Sequence, residues 1–67
     1  MKPKILPLAW VVFKFENSHA FGQVKGGFHE LNKDIWLYSI SHSGREDATV
    51  PAGDIVFVLK EDSWVEA

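Results

Sequence analysis

The sequence contains no cysteine, and no apolar run approaches the length of about 18 residues that a membrane-spanning helix needs. Without cysteine there is no disulfide framework, thiolate metal site or redox motif, so the 67 residues must be held by a single apolar core. The same absence points to a cytoplasmic setting. An excess of one charge is also missing: seven Lys and Arg stand against nine Asp and Glu, a net −2 spread along the chain. That balance attracts a phosphate backbone weakly and is too mild for an acidic imitation of DNA. Helical periodicity is absent, since no window carries apolar residues at three- and four-residue spacing for more than one turn. At the N-terminus, "MKPKILPLAWVVFKF" sets two lysines before an apolar stretch, but Pro3 and Pro7 break a signal-peptide helix and Lys14 and Glu16 interrupt the run beyond Leu8.

What is present is a 46% hydrophobic content dominated by β-branched and aromatic residues that alternate with polar ones, which predicts an all-β chain. A first strand runs from Leu8 to Phe15 with Val11, Phe13 and Phe15 inward. "ENSH" is a turn, and a second strand, Ala20 to Gly26, points Gly22 and Val24 inward. Gly26-Gly27, with positive φ, and "HELNKD" form a wide loop. The third strand, Ile35 to Ser41, sends Trp36, Tyr38 and Ile40 to the core and leaves Ile35 and Leu37 outside. A turn around Gly44 leads to a short strand, Ala48 to Val50, stopped by Pro51. Then come a 3₁₀ turn over Pro51 to Asp54, a closing strand from Ile55 to Lys60 with Ile55 and Phe57 in the core, and a polar tail. The order predicts one domain, residues 1–67, folded as a five-stranded closed barrel without free edges. With Met1 at its start and an end soon after the last strand, the chain reads as a complete small gene product.

The stretch "DIWLYSISHSGREDATVPAGDIVFV", Asp34 to Val58, resembles the second half of an SH3 domain: an acidic residue, a tryptophan-pair position, a Gly-containing distal turn, a short strand, a Pro-led 3₁₀ turn and a final strand. "LAWVVFKFE" stands where that family has its first strand but lacks its Ala-Leu-Tyr-Asp-Tyr signature. The resemblance implies an SH3-like small barrel. It also matches Trp36 and Pro51 to family positions, while the two rings that would stack on a proline-rich peptide are replaced by Ile35 and Asp54. A polyproline groove works by stacking prolines on aromatic rings, so this substitution argues against that ligand.

Residues with catalytic or metal chemistry form no pattern. His19, His29 and His42 are ten and thirteen apart and read as exposed loop histidines without zinc-ligand spacing. Ser41-His42-Ser43 lacks an orienting carboxylate and oxyanion donors, and "GQVKGG" has neither the spacing nor the following helix of a phosphate loop. Glu46-Asp47 and Glu61-Asp62 read as solvated charges. The expectation is therefore a non-enzyme with no cofactor, metal or membrane partner. Lys2, Lys4, Lys14, Lys25 and Lys33 are interleaved with acids, so nucleic-acid binding is the weaker alternative, together with an enzyme whose site forms only in a homo-oligomer. The leading expectation is a protein-interaction module that binds a larger protein or self-associates. A core this small has no room for Trp10, Phe21, Leu37 and Trp64, and Phe21, Ile35 and Leu37 are expected in one outer patch of about 200 to 400 Å².

Overall fold

Alternating apolar residues give six strands and one short 3₁₀ turn in the computed structural model, which describes residues 5–67. Lys2, Pro3 and Lys4 lie outside the described residues. The strands are β1 (Trp10–Phe15), β2 (Ser18–Glu30), β3 (Ile35–Ser41), β4 (Ala48–Pro51), β5 (Ile55–Lys60) and β6 (Ser63–Glu66), with the 3₁₀ turn η1 (Ala52–Asp54) between β4 and β5. All pairings are antiparallel, in one sheet ordered β4-β3-β2-β1-β5-β6. The sheet is not closed, so the expected edge-free five-stranded barrel is corrected to a six-stranded sheet with edges at β4 and β6. Each edge strand has only four residues, which limits pairing with other chains.

The sixth strand comes from the tail. Glu61 and Asp62, at φ 49° and 66°, form a two-residue hairpin turn with both positions left-handed, and Lys60 pairs with Ser63 across it. A turn of this kind favours Asn-Gly, and nothing in "KEDS" announces it. Glu16 and Asn17 do the same between β1 and β2, with φ 48° and 64°. Replacing Glu61-Asp62 by Asn-Gly should raise stability by about 1 kcal/mol, because left-handed backbone is costly for side chains with a Cβ. A urea titration showing no gain would mean that this hairpin does not form.

Further boundaries differ from expectation: β2 begins at Ser18 rather than Ala20, and Pro51, expected to stop β4 at Val50, belongs to it as an edge-strand residue opposite Leu37. β1 begins at Trp10 rather than Leu8, whose φ is 75°. Leu8 N–H donates to Val24 O (2.7 Å) and Val24 N–H to Ala9 O (2.8 Å), so two residues share one partner in a bulge whose left-handed position is normally glycine. β2 is far longer than Ala20 to Gly26: it runs on to Glu30, pairs with β3 as far as Glu30 opposite Ile35, and leaves a turn of Leu31 to Asp34 in place of the wide loop. Gly26 and Gly27 are strand residues without positive φ. Their use is local. Gly26 follows a bulge at Lys25, and a Cβ on Gly27 would stand 2.9 Å from the Tyr38 ring.

The core consists of Ile5, Val11, Phe13, Val24, Tyr38, Ile40, Val50, Ile55 and Val58. Its inward residues on β1, β2 and β3 are largely those alternation selects, with Phe15 and Trp36 half-buried against the cluster rather than enclosed. Phe57 departs from expectation. The β1–β5 register slips between Val12 and Phe13, making Val56 an extra residue, so Ile55 and Val58 face inward while Phe57 sits opposite Val12 on the outer side.

Candidate contact surface

β1 alternates strictly, and with Val11 and Phe13 inside, Trp10, Val12 and Lys14 face outward. Across the ladder, Val12 stands opposite Phe21 of β2 and Phe57 of β5, while Trp10 stands opposite Gln23. β6 adds Glu66 opposite Phe57 and Trp64 opposite Leu59. The outer side of β2-β1-β5-β6 therefore carries six apolar side chains where an antiparallel sheet facing water usually alternates to polar ones.

Three of these form an aromatic layer. The Trp10 and Phe21 rings stack with centroids 4.9 Å apart and an 11° interplanar angle, and Phe21 meets Trp64 edge-on at 5.7 Å. Since β1 and β5 lie between β2 and β6, Phe21 and Trp64 must lean toward each other over those strands, which accounts for the half-burial of Val12, Phe57 and Leu59 beneath. The rings themselves stay open, at 39% for Trp10, 51% for Phe21 and 45% for Trp64. The β6 hairpin thus completes the patch without covering it.

Trp10, Phe21 and Trp64 are brought together, whereas Ile35 and Leu37 are placed elsewhere. This corrects the expected trio of Phe21, Ile35 and Leu37. The β2–β3 ladder reaches only to Gln23 opposite Ser41, so Phe21 stands opposite no β3 residue, and Phe28 faces Leu37 in the place that Gly27 would take without the bulge at Lys25. Phe21 is seven residues from Phe28 along β2, about 23 Å of extended chain. Leu37 also faces Pro51 of β4, and both Leu37 and Ile35 are half-buried. Sequence reasoning missed Phe28 because it lay in the supposed loop.

On the opposite, inner side, the gap between the two arms of the sheet leaves a cleft of about 890 Å³, lined among others by Ile35, Trp36, Tyr38, Pro51, Val58 and Lys60. Trp36 Nε1 is buried with no acceptor, and its ring lies 5.3 Å from that of His29. His29 Nε2 is 2.9 Å from Asp34 Oδ1, a link across the β2–β3 turn.

The expectation of three exposed loop histidines is corrected. His29 and His19 belong to β2, and His42 is only 9% exposed, its ring edge-on to Phe13 (5.7 Å) and Phe15 (5.2 Å). Packing, rather than a ligand, accounts for His42. Among the described residues no group of three His, Asp or Glu is arranged to hold a metal ion, and no helix is long and apolar enough to cross a membrane. Two of the cations are tied to acids: Lys25 Nζ lies 2.7 Å from Asp47 Oδ2, and Arg45 lies 3.8 Å from Glu16 and over the Phe15 ring.

No protein-family model matches this sequence, and neither a curated protein nor a solved structure shows significant similarity to it.

Proposed function

We propose that the chain has an SH3-like fold whose sheet stays open, that it acts as a protein-interaction module rather than an enzyme, and that its contact surface is the outer aromatic layer of Trp10, Phe21 and Trp64. The SH3-like reading is supported by the order of elements from β1 to β5, with η1 placed between β4 and the closing strand, and β6 stands as an addition to it. The proline-peptide mode finds no support, because Ile35 and Asp54 occupy the places of its stacking rings.

The observation that carries the contact reading is the arrangement of three half-exposed aromatic rings, with Phe21 in contact with both Trp10 and Trp64, above three more apolar side chains. Rigid aromatics supply much contact area for little lost entropy, which is why they dominate binding hot spots. Nucleic-acid stacking would use the same rings but needs cations beside them, and Lys14 is the one cation on the outward positions of β1.

Phe21→Lys tests the reading. The ring is half outside, so the variant should keep the wild-type circular dichroism and lose little stability, while binding through this face should weaken by about thirtyfold or more, the effect of losing a hot spot of about 2 kcal/mol. Affinity capture with wild-type, Phe21→Lys and Phe28→Lys baits reads the outcome. Proteins retained by the first and third but not the second support the face, and an identical set from all three overturns it.

A further inference from the structure

We infer that His29 is a proton-controlled latch on Trp36, holding the indole in the wall of the inner cleft when the imidazole is neutral and releasing it when the imidazole is charged. Strand register brings the two rings together. His29 of β2 and Trp36 of β3 are direct partners in the ladder, next to the pair of Glu30 and Ile35 that closes it. Their ring centroids are 5.3 Å apart and the planes are tilted by 42°, a separation that leaves room for a hydrogen bond of about 3 Å between ring edges.

Each ring nitrogen of His29 then has one role. Nε2 lies 2.9 Å from Asp34 Oδ1, and a carboxylate only accepts, so Nε2 carries the proton of the neutral ring and Nδ1 keeps its lone pair. Trp36 Nε1 can only donate, and among the described residues it is the one buried side-chain polar atom without a hydrogen-bond partner. A free lone pair therefore sits on the residue directly opposite an unmatched donor. A desolvated N–H without an acceptor is costly, and that cost draws the indole to Nδ1.

Protonation removes the acceptor. Both imidazole nitrogens become donors, Nδ1–H opposes Nε1–H, and the indole gains by turning toward solvent in the cleft. The same proton strengthens the link from Nε2 to Asp34, but the Asp34 side chain is 79% exposed and an ion pair there returns little. Among the described residues only Asp34 lies within ion-pair distance of His29. The other charged groups nearby are Glu30 and Lys33 of the same hairpin, with Lys60 of β5 and Glu66 of β6 lining the cleft. Because Asp34 and Trp36 line it too, the latch sets the shape of the cleft at its β2–β3 end.

Nitrogen-15 spectra of the histidine rings and of the indole N–H groups test the latch in the intact chain. Neutral His29 should be the Nε2–H tautomer. Exchange of the Trp36 indole proton, measured against those of the more open Trp10 and Trp64 in the same sample, should quicken by about tenfold as His29 takes up its proton, the worth of one hydrogen bond. The change should follow the titration of the His29 ring rather than those of His19 or His42. His29→Phe keeps a ring but offers no acceptor, so Trp36 should exchange fast at every pH. In case that variant unfolds, His29→Gln offers an amide oxygen whatever the pH and should keep Trp36 protected throughout. Neutral His29 found as the Nδ1–H tautomer overturns the inference. So does Trp36 protection that stays constant through the His29 titration, or that still changes with pH relative to Trp10 and Trp64 in either variant.

Discussion

Gly22→Ala is expected to remove a large part of the protein's stability. Gly22 lies on β2 opposite Val11, with its missing side chain aimed at the end of β3. A Cβ there would stand 2.5 Å from Ser41 O, 2.7 Å from Ile40 Cγ2 and 3.2 Å from His42 Cβ. The first of these is backbone and the second belongs to a fully buried core residue, so neither can move aside alone. Overpacking of this kind costs roughly 3 kcal/mol or more. For 67 residues the whole folding free energy is about 3 to 10 kcal/mol. Gly26→Ala is the matched control, four residues along the same strand, where a Cβ meets nothing within 4 Å. It should be stable to the same urea concentration as wild type or a slightly higher one. Equal stability of the two variants would show that β2 and β3 do not approach closely at Gly22.

Tyr38→Ala should have a comparable effect through the opposite error, a cavity. Tyr38 is the largest of the fully buried side chains, 1% exposed, and packs over Gly27. Its hydroxyl accepts a long hydrogen bond from Ile5 N–H (3.4 Å), which ties the segment before β1 to β3. Truncating a buried large aromatic costs about 3 to 5 kcal/mol. Tyr38→Phe removes only the hydroxyl and should cost about 1 kcal/mol. Thermal melts of the three proteins should therefore rank wild type, then Tyr38→Phe, then Tyr38→Ala with little or no cooperative transition. A Tyr38→Ala protein melting within a few degrees of wild type would place Tyr38 outside the core.

The proposed contact face is partly legible in the sequence. Trp10, Phe21 and Trp64 stand out as aromatics that a core of this size cannot hold, and alternation around Lys14, Gln23 and Lys25 turns the first two outward. Their assembly is not legible there, because Trp64 sits 43 residues from Phe21 and reaches it only through a hairpin made by Glu61 and Asp62. The same blindness groups Leu37 with Phe21. Neighbours on one face are chosen by register: β2 runs on to Glu30, so Leu37 meets Phe28, seven residues beyond Phe21, and the bulge at Lys25 accounts for only one residue of that offset.

What the sequence by itself determined is the all-β class, β3 and β5 to the residue, the 3₁₀ turn beside Pro51, and the inward sides of β1 and β3. All of these depend on a period of two and on proline's missing donor, both of which act over a few residues and are written in them. Only the tertiary structure decided the length of β2, the existence of β6, the outward turn of Phe57 and the open sheet with its aromatic layer. Each depends on where one strand meets another. Bulges at Lys25 and Val56 are set by the whole ladder's geometry, and left-handed turns at Glu16-Asn17 and Glu61-Asp62 are held by the hairpins they close against the residues' own preference.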